Sequence, residues 1–381
     1  MIKIKSDKII VNEEIFNGYL YIENDKIVEV STEDKKAEEF YDYTGFYVSA
    51  GFIDTHTHGA GGYCFLNSSI QDVVNACNFH LKFGMTTIAP TVSASKFSEM
   101  KNAVEVIDKA KNCGEVKNNL LGAHLEGPYL SPKQAGAQRP DFITPPIKED
   151  YIPLINKYGN SIARWTYAPE SDVNGEFCKY LTDNGIVASA GHTDATYKDM
   201  KVAIDNGCNL VTHLYSCTST ITRNQGFRSL GVIESTFLRD ELTAELICDG
   251  KHLPPDLINM IIKIKGENNI ILTTDSLEIA GTDIKEGGQS GSKFIVEDGV
   301  CKLYDRSAFA GSIATANVLV RTLYKECGVS LPIAVKMLTS NPAKLFNLNK
   351  GLLKKDYDAD VIVFDDDINV SNVFVNGKKV I

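Results

Sequence analysis

The sequence of 381 residues has no apolar stretch long enough to span a bilayer, which argues against an integral membrane protein. It also has no excess of positive charge: 39 lysine and arginine residues face 49 aspartate and glutamate residues, for a net charge of -10. That balance disfavours nucleic acid and anionic membrane surfaces, because both are bound through cationic patches. We therefore expect neither a nucleic-acid partner nor a membrane partner.

Two further absences concern the compartment and bound nucleotides. Residues 1–8 mix charged and apolar side chains and lack the continuous apolar segment of a secretory signal. The nine cysteines include no Cys-x-x-Cys pair, and scattered thiols are typical of a reducing compartment. No Walker loop or dinucleotide fingerprint is present, since the glycines of residues 59–62 have the wrong spacing. The sequence thus indicates a cytoplasmic protein and gives no sign of a nucleotide site.

The two ends of the sequence have the pattern of β structure. Residues 1–48 alternate apolar and polar side chains, with turns predicted at Asn17-Gly18 and Asn24-Asp25. Residues 347–381 look the same, with a strand pair predicted over residues 359–364 and 373–380. We predict that residues 1–48 and 347–381 together form a small β-sandwich domain of antiparallel strands.

Residues 49–346 alternate apolar strand candidates with helical stretches. Helices are predicted over residues 70–83, stopped by Gly84, over residues 194–206, stopped by Gly207, and over residues 331–346. The eight strand candidates centre near residues 53, 87–88, 121–123, 165–167, 187–189, 210–212, 246–247 and 272–273. Buried strands that alternate with helices indicate an α/β fold, and eight such units predict a (β/α)8 TIM barrel. A doubly wound open sheet is the alternative, but its strand ends do not converge on one point.

Potential metal ligands follow five of these strand candidates. They are His56, His58, Glu126, His192, His213 and Asp275. A strand directs residues i and i+2 to one face, so His56 and His58 can aim both imidazoles at one point. Taken singly, each residue is also explained as a polar strand end, a turn residue or a helix cap. Because four of the chain's seven histidines fall in this set, a hydrolytic metal centre at the carboxyl ends of barrel strands is the better interpretation.

Other polar residues are candidates for the chemistry or for binding. Asp275 can take a proton from water and later deliver it to a leaving group. His252, in the loop after the seventh strand, can polarise a carbonyl, although a surface histidine explains it equally well. Arg223 and Arg228 suit a phosphate, although solvated charge is the simpler interpretation of one arginine. The remaining histidines of interest, His80 and His124, are interpreted as core residues.

The order of these motifs resembles that of the N-acetylglucosamine-6-phosphate deacetylases of the amidohydrolase superfamily, and the likeness runs nearly end to end. The matching segments are Gly51-Phe52-Ile53-Asp54-x-His56-x-His58-Gly59, His124-Leu125-Glu126-Gly127-Pro128, Gly191-His192-Thr193, Thr212-His213-Leu214-Tyr215, Asp249-Gly250-x-His252, Thr274-Asp275, Ala310-Gly311-Ser312, Asn341-Pro342-Ala343-Lys344 and Asp358-Ala359-Asp360. The His-Leu-Glu-Gly-Pro segment is the most specific, since many amidohydrolases use a carboxylated lysine in place of the glutamate.

The resemblance implies a divalent metal site. Glu126, His192 and His213 would hold the principal ion, and His56 with His58 would allow a second one. One or two ions are therefore expected, with zinc or iron first and manganese or cobalt as alternatives.

The resemblance also implies the reaction, which removes acetate from an N-acetylated sugar phosphate and leaves an amino-sugar 6-phosphate. Asp275 would activate water and protonate the departing amine, and His252 would bind the acetyl carbonyl or a nearby hydroxyl. The implied substrate-binding residues are Ala137, Gln138, Ser216, Cys217 and, for the phosphate, Arg223. Family members are often dimers in which a neighbouring subunit helps to bind phosphate, so a homodimer is expected.

One segment departs from the family pattern. Ser216-Cys217-Thr218 stands where the family usually has Asn-Ala-Met, and one residue is missing before Arg223. N-acetylgalactosamine 6-phosphate is therefore an alternative substrate to N-acetylglucosamine 6-phosphate. A different amidohydrolase that acts on cyclic amides or bases is a second alternative, which Glu126 and Arg223 disfavour. A silent metal- or sugar-phosphate-binding protein is the third, which Asp275 disfavours.

Overall fold

The two ends of the chain form one β-sheet in the computed structural model, which describes residues 1–289 and 292–381. Its eight strands are Ile2–Val11, Glu14–Glu23, Lys26–Ser31, Glu39–Asp42, Tyr47–Ala50, Val361–Phe364, Val370–Val375 and Lys378–Lys379. Val361–Phe364 pairs with Tyr47–Ala50, which joins the two ends, and the sheet has its own hydrophobic core. The predicted β structure built from both termini is confirmed, whereas its description as a sandwich and the domain boundaries at residues 48 and 346 stay predictions.

Two details of this sheet differ from the sequence predictions. Ile2–Val11 pairs in parallel with two later strands, so the sheet is mixed, because residues 32–38 carry the chain to the other side of this first strand. Asn17-Gly18 lies inside the strand Glu14–Glu23, and the turn is at Asn12, whose φ is +55°. Gly18 allows a close approach of strands, since a Cβ atom there would lie 2.5 Å from the carbonyl oxygen of Ser31. The predicted turn at Asn24-Asp25 is confirmed.

Between the two ends, eight parallel strands form a nearly closed barrel. Barrel strands 1 to 8 are Phe52–Thr57, Met85–Ser93, Asn119–Leu120 with Ala123–Glu126, Ile162–Tyr167, Val187–Ala190, Leu210–Val211, Thr243–Leu246 and Ile270–Leu272. Strand 8 approaches strand 1 through hydrogen bonds from the Asp275 amide to the His56 carbonyl (2.9 Å) and from the His58 amide to the Ser276 carbonyl (2.8 Å). The predicted (β/α)8 barrel is confirmed, and its strands lie close to the predicted centres.

The α-helices of the described residues are Ile70–His80, Phe97–Asn112, Lys148–Tyr158, Glu176–Asp183, Tyr197–Asp205, Val232–Leu238, Pro255–Lys265, Ala316–Lys325, Leu331–Met337 and Ser340–Leu345. Ser69 and Asp72 form a capping box before the first of them, and Gly84, with a φ of +83°, ends the short 3-10 turn that follows it. Within these described ranges, no helix combines the length and the apolar character needed to cross a bilayer.

Two other predicted helices have different bounds in the structure. The helix predicted over residues 194–206 begins only at Tyr197, because Thr196 and Asp199 form the capping box there. The stretch predicted over residues 331–346 is divided into Leu331–Met337 and Ser340–Leu345. Thr339 separates them, since its φ of -130° and ψ of -85° are not helical.

The late sequence motifs fix the last helix and the terminal sheet to the barrel. From the helix Ser340–Leu345, the Asn341 side-chain amide donates to the carbonyl oxygens of Glu267 and Ile270, both at 2.7 Å, at the start of strand 8. The buried Asp360 carboxylate pairs with Lys350 at 2.8 Å and accepts from the side chain of Asn119 at 2.9 Å. These contacts lie at the amino end of the barrel strands, where side chains of such barrels support stability rather than chemistry.

Phe177 is the centre of an aromatic cluster outside the barrel wall. Its ring lies 4.8 to 5.4 Å from the rings of Tyr129, Tyr151, Trp165 and Tyr167, and its side chain is buried. We expect Phe177→Ala to lower the free energy of unfolding by about 3–5 kcal/mol, because the four surrounding rings lose their contacts with Phe177 and a cavity remains. Denaturant unfolding measures this loss. Val173→Ala is the control, since Val173 is 78% exposed and its truncation should change stability by only about 0.5 kcal/mol.

Candidate metal centre and active site

Six polar side chains meet at the carboxyl ends of the barrel strands. His56 and His58 belong to or directly follow strand 1, Glu126 ends strand 3, and His192, His213 and Asp275 follow strands 5, 6 and 8. All six residues are at most 8% exposed. The barrel therefore brings together side chains that are separated by more than 200 positions along the chain.

Glu126 is the centre of this group. Its Oε1 lies 3.1 Å from Nε2 of both His192 and His213 and 3.5 Å from Nε2 of His56, and its Oε2 lies 3.4 Å from Nε2 of His58. Two overlapping sets result, His56-His58-Glu126 and Glu126-His192-His213, each with ligand atoms within 4.8 Å of one another. Donors bound to one ion at about 2.0–2.2 Å have mutual distances in this range.

The four histidines turn their Nδ1 atoms away from Glu126. The Nδ1 partners are the Gln134 carbonyl for His192 (2.9 Å), the Ser216 carbonyl for His213 (3.1 Å), the Glu245 carboxylate for His56 (3.0 Å) and the Ser93 hydroxyl for His58 (3.0 Å). Carbonyl and carboxylate oxygens only accept, so in three of the rings Nδ1 carries the proton and a neutral ring has its lone pair on Nε2. Lone pairs that face a buried carboxylate repel it unless a cation lies between them.

These residues fit a divalent cation. His56 Nε2 is buried and makes no hydrogen bond with any residue that the structure describes. Histidines that bind a metal usually donate their second ring N–H to a carboxylate or a carbonyl, as three of the rings do here. Imidazole and carboxylate donors together suit zinc, iron, manganese or cobalt.

The electrostatics of the group also favour positive charge. Burial raises the pKa of Glu126, but the neighbouring His56 and His192 outweigh it and hold that pKa well below its usual value. Burial lowers the pKa of His58, but hydrogen bonds to Asp275 and Glu126 outweigh it and raise that pKa to about 10. The carboxylates thus remain ionised and attract protons or metal ions to the space between the imidazoles.

Asp275 lies on the open side of this group. Its Oδ1 is 3.1 Å from His58 Nε2 and 3.3 Å from His56 Nε2. The backbone of Asp275 is left-handed, with a φ of +46°, and so is that of His192 (+46°) and His213 (+28°). Non-glycine residues adopt this conformation at an energetic cost, and away from turns such as the one at Asn12 they cluster at functional sites. Here the left-handed conformation occurs at three residues that follow barrel strands and contribute polar side chains to the group.

A cavity of about 260 Å³ opens over these residues and offers the place for a substrate. Its lining contains five of the residues that the sequence singled out for substrate contact, Ala137, Gln138, Ser216, Cys217 and His252, beside five of the central six. It also contains the apolar side chains of Leu277, Phe294, Leu303 and Phe309, and the ring of Phe309 lies 4.9 Å from that of His252. A pocket that combines apolar side chains with a few convergent polar groups is typical of a small-molecule site.

Gln138 and His252 are each held in place by a carboxylate. Gln138 donates from Nε2 to Glu126 Oε2 at 2.6 Å and accepts from the Ala94 amide at 3.0 Å. His252 Nδ1 lies 2.8 Å from Asp249 Oδ2. Burial raises the pKa of Asp249, but the hydrogen bond from His252 outweighs it and lowers that pKa. The ionised Asp249 therefore keeps the proton on Nδ1 and leaves His252 Nε2 for a substrate.

Arg223 is not among the described residues that line this cavity. It lies in an exposed hairpin, in the strand Thr222–Asn224 that pairs with Phe227–Ser229. Within the described part of the chain, the only lysine or arginine in the cavity wall is Arg139, which the sequence analysis did not single out. A signal was available, since Arg139 directly follows Ala137 and Gln138, which the resemblance implies for substrate binding.

Two charged residues inside the barrel were not predicted from the sequence, Arg164 on strand 4 and Glu245 on strand 7. Each interrupts an apolar strand, and a charge there is costly unless it is paired, which was the available signal. His80 and His124 are core residues, as interpreted. His124 hydrogen-bonds Thr91 and Thr166, and burial lowers the pKa of His80 to about 4.

The barrel and its cluster of histidines and carboxylates define a class, the barrel hydrolases whose catalytic centre lies at the carboxyl ends of the strands. The chain belongs to the amidohydrolase family, whose model matches residues 47–380.

Individual relatives are more specific. The chain is 31% identical over 376 residues to N-acetylglucosamine-6-phosphate deacetylase of Bacillus subtilis (strain 168), with 96% of this chain and 93% of that protein covered. It is 28% identical over 351 residues to N-acetylgalactosamine-6-phosphate deacetylase of Shewanella sp. (strain ANA-3), with 92% and 87% covered. A similar solved structure is that of a variant of the Mycobacterium smegmatis N-acetyl-D-glucosamine-6-phosphate deacetylase in complex with N-acetyl-D-glucosamine-6-phosphate. The two chains superpose with a TM-score of 0.92 at 27% identity, and the superposition covers 100% of this chain and 99% of that one. The resemblance inferred from the motifs is confirmed.

Proposed function

We propose that the protein hydrolyses the acetamide of N-acetylglucosamine 6-phosphate to give glucosamine 6-phosphate and acetate. The observation that carries this proposal is the convergence of four histidine Nε2 atoms on Glu126, with Asp275 beside them at the wall of a substrate-sized cavity. The kinship with deacetylases of that name supports the choice of substrate.

Glu126, His192 and His213 would hold the principal divalent ion, and His56 with His58 and the shared Glu126 would hold a second one. Such an ion supplies Lewis acidity, which polarises an amide carbonyl and favours the ionisation of water. Gln138 fixes the orientation of the Glu126 carboxylate through its hydrogen bond to Oε2.

Asp275 acts as the proton carrier. Its carboxylate accepts a proton from the attacking water and returns it to the nitrogen of the departing amine, which would otherwise leave as a poor anionic group. His252 Nε2 binds the acetyl carbonyl oxygen or a neighbouring hydroxyl, because Asp249 occupies the other ring nitrogen. The apolar wall around Phe309 and Leu277 limits the access of bulk water.

Acetate release from purified protein tests the proposal. The protein is stripped of metal, reloaded with zinc, iron, manganese or cobalt in turn, and incubated with N-acetylglucosamine 6-phosphate, its C-4 epimer and unphosphorylated N-acetylglucosamine. We expect release from the first compound and little from the unphosphorylated one. An absence of release from every N-acetylhexosamine phosphate would reject the proposal.

N-acetylgalactosamine 6-phosphate is the second candidate substrate. Ser216 and Cys217 line the cavity, in the segment that departs from the family pattern, and a curated relative is named for this epimer. A higher kcat/KM for the C-4 epimer in the same assay would favour this candidate without changing the reaction.

We place Arg223 in phosphate binding across a homodimer, since its hairpin does not line the cavity of its own chain. In the same hairpin Phe227 is 80% exposed, and Ile221 just before it is 52% exposed, so both offer apolar surface to a second copy of the chain.

All nine cysteines are unpaired in the structure, which supports a reducing compartment such as the cytoplasm.

Arg223→Ala is expected to raise KM for the phosphorylated substrate by about 10- to 100-fold with little change in kcat, because a charge-assisted hydrogen bond to phosphate is worth about 1.5–3 kcal/mol. Lys179→Ala is the control, because Lys179 pairs with Asp183 on the outer helix Glu176–Asp183, and it should leave KM near its original value. Steady-state kinetics measure both.

A mixing experiment decides whether Arg223 acts on the neighbouring subunit. Asp275→Asn subunits retain Arg223, and Arg223→Ala subunits retain Asp275. Mixed dimers should therefore regain low-KM activity that neither variant shows alone. Mixtures that behave as the sum of the two variants, or a protein that sediments as a monomer at assay concentration, would contradict binding across the dimer.

A further inference from the structure

A buried ion pair crosses the interior of the barrel beneath the candidate metal centre. Arg164 on strand 4 and Glu245 on strand 7 are both 0% exposed. The guanidinium binds the carboxylate through two nitrogens, with Nη1 on Oε2 and Nη2 3.1 Å from Oε1. Nη2 also lies 2.8 Å from the hydroxyl of Thr212, the residue before His213. The pair is thus rigidly held and extends toward the strand ends that supply the histidines.

One oxygen of this pair contacts two of the proposed metal ligands. Glu245 Oε1 lies 3.0 Å from His56 Nδ1 and accepts from the backbone amide of His213 at 3.1 Å. The first contact fixes the ring of a histidine on strand 1, and the second holds the left-handed backbone of a residue after strand 6, whose φ is +28°. A single carboxylate oxygen therefore connects ligands from opposite parts of the barrel wall.

We infer that Arg164 and Glu245 are positioning residues that orient His56 for the metal proposed above. Both Glu245 oxygens only accept, so Nδ1 of His56 carries a proton, and in the neutral ring Nε2 presents its lone pair toward Glu126 and Asp275. Arg164 fixes the carboxylate in that role through its two-nitrogen contact. The inference rests on the proposed metal centre and adds to it the pair that sets the direction and tautomer of one ligand.

Stability alone is a weak account of such a pair. Removing two charges from water costs several kcal/mol for each ion, and well-packed apolar residues of similar volume are often as stabilising or more so. The interiors of barrels of this class are usually filled by branched apolar side chains. The contact with His56 gives the pair a role that apolar residues cannot supply.

Glu245→Gln tests the inference with metal affinity as the readout. In either orientation the amide nitrogen of glutamine faces a donor, Arg164 Nη1 or His56 Nδ1, so the two-nitrogen contact that holds the acceptor of the His56 ring in place is broken. We expect the affinity for zinc or cobalt, measured by competition with a chelator, to fall by about 10- to 100-fold. Asp360→Asn is the matched control, because it removes another buried, ion-paired carboxylate at the opposite end of the barrel. It should lower the unfolding midpoint without changing metal affinity.

A double-mutant cycle with His56→Asn separates positioning from general damage. If Glu245 acts mainly through His56, Glu245→Gln should cause a much smaller loss of affinity in the His56→Asn background, where only its contact with the His213 amide remains. An unchanged affinity in Glu245→Gln, or an equal fold-loss in both backgrounds, would overturn the inference. If Glu245→Gln does not accumulate as folded protein, Arg164→Lys in the same cycle decides, since lysine keeps the charge but loses the two-nitrogen contact. For Arg164→Lys we likewise expect a clearly larger loss of metal affinity when His56 is present than in the His56→Asn background. An unchanged affinity would overturn the inference.

Measurements on the unmodified protein distinguish a failure of the proposed metal centre from a failure of the positioning role. Unmodified protein that binds no divalent metal would reject the metal centre and, with it, the positioning role. Unmodified protein that binds metal and releases acetate, together with an indifferent Glu245→Gln variant, would reject the positioning role alone.

Discussion

The Asp275→Asn variant is expected to retain its metal and to lose turnover, with kcat lower by about 100- to 10,000-fold. Asparagine keeps the shape of the side chain but cannot take a proton from water or return one to the amine. Elemental analysis and acetate release on the same preparation measure the two properties together.

A matched control for this variant is Asp172→Asn. Asp172 is a carboxylate that accepts from the amides of Phe177 and Cys178 and does not belong to the described cavity wall. Its substitution should leave turnover unchanged. If Asp275→Asn turned over at the original rate, Asp275 would not be the proton carrier. If it also lost its metal, Asp275 would be a ligand in addition.

The second large effect is expected for Glu126→Gln, which should lose both metal and activity. Loss of a partner outside the ligand shell already costs about 10- to 100-fold in affinity, so loss of the shared carboxylate should cost more than about 100-fold. The reason is geometric, since Glu126 belongs to both ligand sets and all four histidine Nε2 atoms face it. Equilibrium dialysis with cobalt or zinc measures the change.

His58→Asn provides the contrast, because His58 belongs to only one of the two sets. If the protein holds two ions, this variant should lose one of them and keep the other. Glu105→Gln is the neutral control, since Glu105 bonds Lys109 and Tyr158 on an outer helix and should leave metal binding unchanged. Full metal content in Glu126→Gln would contradict the proposed centre.

Local patterns were enough to predict the ligand candidates. His56 and His58 are two positions apart on a strand, which fixes their common direction without any knowledge of the fold. Glu126, His192, His213 and Asp275 each end an apolar run, and the ends of parallel strands share one edge. Similar reasoning predicted the helix that ends before Gly84, because its capping and stop signals are local.

The failures have physical reasons as well. Asn17-Gly18 has the composition of a turn, but the glycine serves a close approach between strands that only the folded sheet creates. Arg223 matched a motif, yet its position depends on a hairpin that leads it away from its own cavity. Arg139 reached the cavity without a motif, because the loop after strand 3 folds over the site.

The sequence by itself determined that eight strand units alternate with helices and that histidines and carboxylates occupy the strand ends, because periodicity and spacing are properties of neighbouring residues. Only the tertiary structure decided that Glu126 is the shared centre, that the four Nδ1 atoms are held from outside, and that Arg164 and Glu245 meet across 81 positions. Closure of the barrel sets these relations, since it fixes which strands face each other, and no local pattern contains that information.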